Sequence, residues 1–438
     1  MPKKKVVKGK NIFKSEELEL TSEFKNALKI MENTDKNIYI TGNAGTGKSA
    51  LLRHFCDNTS KNIAVLAPTG VAAIDIQGTT IHSFFQFPFG IIEEKDIMYL
   101  VRKKEIFNNL DVLVIDEISM VRSDMMNAID QALRKNTGNK NKQFGGVQVI
   151  MFGDLYQLPP VVTKSKEKDY LNDVYGGIYF FNAMASKNMV MEKIELTKIF
   201  RQKDDKVFID LLNKIRENNI LRYDLIKLNS CIRNYDDAEV PAVTIATTNR
   251  IVNTINEQKL NRIHNREYTY QANLDGDFEK KKAPADINLK LKEGAQIMMI
   301  KNDNITPRRW VNGTLGTIIK LKKNKVVVDI DGKRYDVEKT TWEDFDYEYN
   351  KEDKQIDKYS KGSFEQYPIK LAWAVTIHKS QGKTFSRVII DLGNGAFVHG
   401  QTYVALSRCT TLEEIYLKRP VNFSDIIVDK KVIDFHIN

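Results

Sequence analysis

Cysteine is nearly missing from this chain: Cys56, Cys231 and Cys409 are the only three in 438 residues, and they stand far apart. Such spacing excludes a disulfide scaffold, a zinc module and a dithiol catalyst, and a reducing, intracellular setting is expected. No apolar run reaches roughly 18 residues, so no membrane span is expected. The N-terminus lacks an apolar h-region, so no secretory leader is expected. Proline is scarce, at 10 residues, and there is no low-complexity tract or short-period repeat. Fibrous and solenoid classes therefore drop out. What is present is a globular composition, 42% hydrophobic and 28% charged, in a chain long enough for two or three domains.

The net charge of +10 suits a nucleic-acid partner, but Lys3, Lys4, Lys5, Lys8 and Lys10 supply five of those charges. Residues 1–15 read as a solvated basic tail. From 16 to 190, short apolar runs such as Ile63–Ala67, Val112–Ile115 and Val147–Phe152 alternate with helical patterns such as Ser123–Lys135. That texture implies a buried parallel sheet, and hence a first α/β lobe. Residues 191–265 and 363–438 carry the same texture and form a second lobe. Between them, 266–362 is rich in short β-runs, with Asp331-Gly332 as a hairpin turn. This stretch reads as a small inserted β-barrel-like module. Glu343–Lys358 within it is polar and reads as a mobile loop.

Gly42-Asn43-Ala44-Gly45-Thr46-Gly47-Lys48-Ser49 is a complete P-loop between a β-rich run and a helix that starts near Ala50. Its backbone amides can cradle phosphates, Lys48 can reach the β/γ-phosphates of ATP, and the Ser49 hydroxyl can ligate Mg²⁺. Ile115-Asp116-Glu117 ends a strand downstream. There Asp116 can hold the metal, and Glu117 can deprotonate the attacking water. Gln157, in Gly153–Pro160, is a neutral donor that could sense the γ-phosphate or position water; a strand-ending turn capped by Asp154 fits the same residues. Arg201 and Arg408 both fall in the second-lobe region, where each fits a helix-surface salt bridge as well as a finger reaching the nucleotide. A cation arriving from a partner lobe stabilises charge on the γ-phosphate and is worth about 10³–10⁵ in rate.

These blocks together resemble the petite-integration-frequency DNA helicases, which belong to superfamily 1, class B, with RecD-like enzymes. The matching segments are Ala67–Ala73, Asp116–Val121, Phe144–Val161, Leu196–Gln202, Trp373–Gly382 and Tyr403–Arg408, in family order across roughly residues 18–418. The resemblance implies two RecA-like P-loop NTPase lobes and an inserted SH3-like barrel. It implies a 5′→3′ motor that hydrolyses ATP on single-stranded DNA, with Gln157 as sensor and Arg201 and Arg408 at the γ-phosphate. Gln381 and Gly382 lie in a segment that the family places between ATP and DNA. One departure concerns the base of the nucleotide: Phe24 stands where the family carries an adenine-reading Gln, so other nucleoside triphosphates come into question.

For the DNA track, the candidates in the first lobe are Pro68, Thr69, Gly70, Thr79 and His82. In the second lobe they are Asn249, Thr376, His378, Lys379 and Ser380. Small hydroxyl, imidazole and ammonium donors suit phosphate contacts, and aromatics suit base stacking. Of the phenylalanines at 84, 85, 87 and 89, most are expected in the core. The resemblance implies that residues 84–105 lead into a strand-separating wedge. Arg308, Arg309 and Trp310 add cations beside an aromatic in the insert. The expected partners are single-stranded and forked or tailed duplex DNA, and the chain is expected to be a monomer in the absence of DNA. RNA–DNA hybrids and G-quadruplexes would use the same track. The short architecture favours the bacterial cytoplasm and nucleoid; nucleus or mitochondrion would follow in a eukaryote. Two other classes stay open: an ATP-switched DNA clamp that separates no strands, and a small-molecule kinase whose ATPase ignores DNA.

Overall fold

The computed structural model describes residues 21–437 apart from 163, 188, 203, 204, 234, 236–241, 306–308, 351 and 353. The basic tail and Arg308 lie outside the described residues. Six parallel strands form the first sheet: β1 (Asn37–Gly42), β2 (Ile63–Ala67), β3 (Thr79–Thr80), β4 (Val112–Ile115), β5 (Gln148–Phe152) and β6 (Met191–Leu196). Their spatial order is β3-β2-β4-β5-β1-β6. Alternation along β1 shows why both faces are covered. Ile38 and Ile40 join the core beneath the helices Ser22–Asn33 and Lys48–Asn58, and Tyr39 joins the opposite core with Leu113, Val149 and Met151.

The second sheet is smaller and also parallel, in the order Ala374–Thr376, Val243–Ala246, Val388–Asp391, Ile415–Leu417. Helices Lys206–Arg216 and Gln401–Leu406 close its core. The chain is thus an α/β protein with two parallel-sheet lobes. Between them runs an antiparallel module. Asp331 and Gly332 both take positive φ, 51° and 76°, so the turn joining Lys325–Ile330 to Lys333–Val337 is the tight hairpin its sequence predicts.

Four expectations need correction. Strand β6, placed by sequence in the second lobe, pairs along all six residues with β1 and is an edge of the first sheet. The module does not stop at 362, because Gln355–Gln366 and Ile369–Leu371 pair within it. Helix Lys430–Ile437 returns to the first lobe, where Val432 is buried and Phe435 stacks on Phe181 at 4.4 Å. Finally, the polar stretch Glu343–Lys358 is an antiparallel hairpin, Thr340–Asn350 with Gln355–Gln366. It reaches the first lobe, where the Tyr347 hydroxyl accepts from the Val65 amide (2.9 Å) and donates to the Val65 carbonyl (3.2 Å). Lys103 pairs with Asp346 at 2.7 Å beside it. Among the described residues, no helix is long and apolar enough to cross a membrane.

Candidate nucleotide site and DNA track

The P-loop leaves the carboxyl end of β1 and enters helix Lys48–Asn58. Its backbone is confined: a Cβ on Gly42, whose φ is +145°, would lie 2.4 Å from the Leu196 carbonyl oxygen. Gly47 caps the helix in the left-handed region, leaving the first amides directed into the loop. The Lys48 ammonium donates to the Gly42 and Asn43 carbonyls, at 2.6 and 3.0 Å. Burial lowers its pKa, so it gains from any anion brought to the loop. Ser49 is exposed at the helix start.

Asp116 and Glu117 follow β4, at the strand end that faces the loop. Burial raises both carboxyl pKa values, and for Glu117 the adjacent Asp116 charge adds to it. Glu117 sits at φ 51°, a left-handed conformation unusual for a residue with a side chain. Its carboxylate accepts from the Gln381 amide at 3.0 Å, and the same amide lies 3.4 Å from the Gln157 oxygen. Gln381 thus bridges the two lobes at the candidate base and the candidate sensor. Gly382 beside it is exposed, and Ala50 is half-buried at the start of the P-loop helix.

The two arginines converge. Arg201 donates to the Ser407 carbonyl at 3.1 Å. Arg408 is fully buried and donates to the Val404 carbonyl and the Ser407 hydroxyl, at 2.8 and 2.7 Å. Among the described residues, neither forms an ion pair. Burial, and next the charge of Arg201, push the Arg408 pKa down to about 9. Two desolvated cations facing one cleft lack a negative partner, and a polyphosphate is the chemistry that supplies it. Arg201 reaches this place differently from the sequence expectation. It follows the first-lobe strand β6, and its Cβ would lie 2.6 Å from a Cβ on Gly45.

Sequence reasoning missed a third layer. Asp154 is fully buried and receives Arg216 at 3.1 Å, with the Tyr403 hydroxyl and the Gln157 amide each at 3.4 Å. Burial alone would raise the Asp154 carboxyl, but Arg216 and Lys48 hold it below the usual range. The Tyr403 hydroxyl accepts from the Ala44 amide at 2.9 Å, and Asn43 donates to Asn213 at 2.7 Å. Second-lobe side chains therefore grip the P-loop directly. The available signal was Arg216, a cation continuing the apolar face Leu211, Leu212 and Ile215.

Phe24 is 1% exposed and lies under the P-loop, its ring 2.9 Å from a Cβ built on Gly47 and 6.4 Å from the Phe200 ring. Packed in the core with Met31, Ile38 and Leu51, it offers a base neither a free surface nor a hydrogen bond.

The DNA candidates divide by burial. Thr69 caps helix Gly70–Asp75, Thr376 caps Ile377–Ser380, and both are half-buried or buried at strand ends. Pro68, Gly70, His82 and His378 are half-buried, while Asn249 and Lys379 are exposed. Burial lowers the pKa of both histidines, favouring neutral rings. Thr79 and Ser380 do not fit a surface contact. Thr79 is 1% exposed with its hydroxyl turned inside, and the Ser380 hydroxyl donates to the Ile377 carbonyl. Phe84, Phe85 and Phe87 are core, whereas Phe89 is 73% exposed. In the wedge candidate, Ile92, Ile97 and Leu100 anchor a loop that exposes Met98, Tyr99 and Val101.

Comparison with known proteins gives concordant matches. Residues 19–224 match the family described as PIF1-like helicase, and 280–321 match the DNA helicase Pif1 2B domain. The ATP-dependent DNA helicase Pif1 of Bdellovibrio bacteriovorus is 32% identical, over 96% of this chain and 92% of the relative. The structure of unliganded Pif1 from Bacteroides overlays with TM-score 0.87 at 39% identity, covering 95% of this chain and 96% of that one. The Bacteroides Pif1 structure bound to ssDNA, at the same identity and coverage, overlays with TM-score 0.69.

Proposed function

The chain belongs to the PIF1-like helicase family and is an ATP-hydrolysing DNA helicase, and from that premise we propose that it is a monomer in the absence of DNA and moves 5′→3′ along single-stranded DNA. The observation that carries the motor reading is the convergence of Arg201 and Arg408 on the cleft, without an ion-pair partner among the described residues. ATP would supply the missing charge and draw the lobes together, with Gln157 reading the γ-phosphate through Gln381. Glu117 is the proposed base for the attacking water.

Mg²⁺ suits the oxygen donors present. Asp116 is half-buried, desolvation raises its carboxyl, and it forms no ion pair among the described residues. Ser49 would add a hydroxyl. When bound, the ion would neutralise phosphate charge.

On the DNA side, Pro68, Thr69, Gly70 and His82 would hold one stretch of backbone. Asn249, Thr376, His378 and Lys379 would hold the next. Closure and reopening of the cleft would shorten and lengthen the gap between the two grips, ratcheting the strand.

The test is ATP-driven unwinding of duplexes with either a 5′ or a 3′ single-stranded tail, with Lys48→Ala as control. Unwinding from the 5′ tail alone is expected. Unwinding from the 3′ tail overturns the polarity. DNA-stimulated hydrolysis with no strand displacement would favour an ATP-switched clamp.

A further inference from the structure

One turn of the inserted module covers two separate points of the first-lobe DNA track. Phe89 is the exposed member of the four clustered phenylalanines, and its ring stacks on His82 at 5.2 Å and 27°. The Lys281 ammonium, from the module's turn Lys280–Lys282, lies 4.0 Å from the Phe89 ring centroid. The next residue seals the second point. A Cβ on Gly70 would lie 2.9 Å from the Lys282 Cγ and 3.3 Å from its Cα, so the turn is in van der Waals contact with the Thr69-Gly70 segment. Lys282 is held there: it is 5% exposed and donates to both Asp344 oxygens, at 3.2 and 3.0 Å. Asp344 belongs to the same hairpin that carries Tyr347 to Val65. Lys281 is tied only loosely, to Glu279 at 3.2 Å, with more than half of its side chain in solvent.

We infer that Phe89 is a base-stacking residue of the track and that the Lys280–Lys282 turn is its built-in occupant, standing in for a DNA strand. This rests on the first-lobe track proposed above. An ammonium over an exposed phenyl ring is a weak contact, weaker than a nucleobase stacked on the same ring. A single strand entering the track therefore exchanges Lys281 for a base. It also lifts Lys282 off Gly70. Because Lys282 is anchored to the module and Phe89 to the first lobe, strand entry and movement of the module become one event.

The experiment is titration of a fluorescein-labelled oligo-dT by anisotropy across a salt series, repeated with 2-aminopurine in the strand. Phe89→Ala should bind about tenfold more weakly, with an unchanged salt slope and less 2-aminopurine quenching; Phe89→Trp should restore both. Lys281→Ala should bind as tightly as the unaltered protein or more tightly, with faster association. Unchanged affinity of Phe89→Ala overturns the inference. So does a loss of affinity in Lys281→Ala with a salt slope shallower by about one, since Lys281 would then be a phosphate ligand. Thr69→Val and His378→Ala serve as references. If these also bind normally, the track reading itself fails. If they weaken while Phe89→Ala does not, only the present inference fails.

Discussion

In the nucleotide cleft, polar side chains satisfy one another, mostly across the lobes: Asp154 accepts from Arg216, Tyr403 and Gln157, while Glu117 accepts from Gln381. Along the proposed track and its neighbouring strand ends, polar side chains serve their own helices instead. Thr69, Thr80, Thr248 and Thr376 each accept from an amide three residues on, capping the helix that follows a strand. The contrast follows from what each ligand does. A γ-phosphate must meet preorganised charge in one geometry. A sliding strand must be held by many weak, equivalent contacts, none of which traps it.

The sharpest way to break this contrast is Lys48→Ala. Hydrolysis should fall below detection, on the order of 10³-fold, while oligo-dT affinity in anisotropy stays within about twofold. A parallel loss of DNA binding would show that the two regions are not separable. Next in size is Arg408→Lys, which keeps the charge but loses the fork that holds Val404 and Ser407. Turnover should drop about 10²–10³-fold with nucleotide affinity nearly unchanged, measured by steady-state ATPase and calorimetry. A drop in melting temperature without that kinetic split would mark Arg408 as merely structural.

Acid should act on the cleft and spare the track. A base works deprotonated, and burial raises the Glu117 carboxyl. Its kcat should therefore fall as pH drops through a range above that of ordinary carboxylates, while DNA affinity changes little. A flat kcat down to about pH 5 would remove Glu117 from that role. The smallest effect is expected on the track. Lys379→Ala should weaken oligo-dT binding a few-fold and reduce the salt slope by about one, with basal ATPase intact.

Local chemistry was legible in the sequence. The P-loop, the strand ending at Asp116-Glu117 and the Asp331-Gly332 turn depend on neighbours within a few residues, so their residue types reveal them. Pairings over long separations were not. Nothing in Met191–Leu196 announces that it will lie beside β1, about 150 residues earlier, and its exposed edge made it resemble the region that follows. Thr340–Asn350 hid its strand character because polar residues alternate with Trp342, Phe345 and Tyr347 in a hairpin that packs on a lobe rather than in a sheet core. Thr79 and Ser380 were misjudged for a related reason. A short hydroxyl side chain is a donor wherever it sits, and only the fold says which way it faces. Tyr403 and Arg216 escaped notice because their partner, Asp154, lies more than 60 residues from either.

Strand β3 has only two residues, and it pairs with Leu66 and Ala67 but stops short of Val65. The amide and carbonyl of Val65 on that side are completed by one phenolic hydroxyl from a module almost 300 residues away. Should the hairpin lift, a sheet edge would open at a single residue of the first lobe. The Val65 amide is therefore a natural clock for the position of the module. Its hydrogen-exchange rate counts the fraction of time Tyr347 is away, with no label and no mutation introduced.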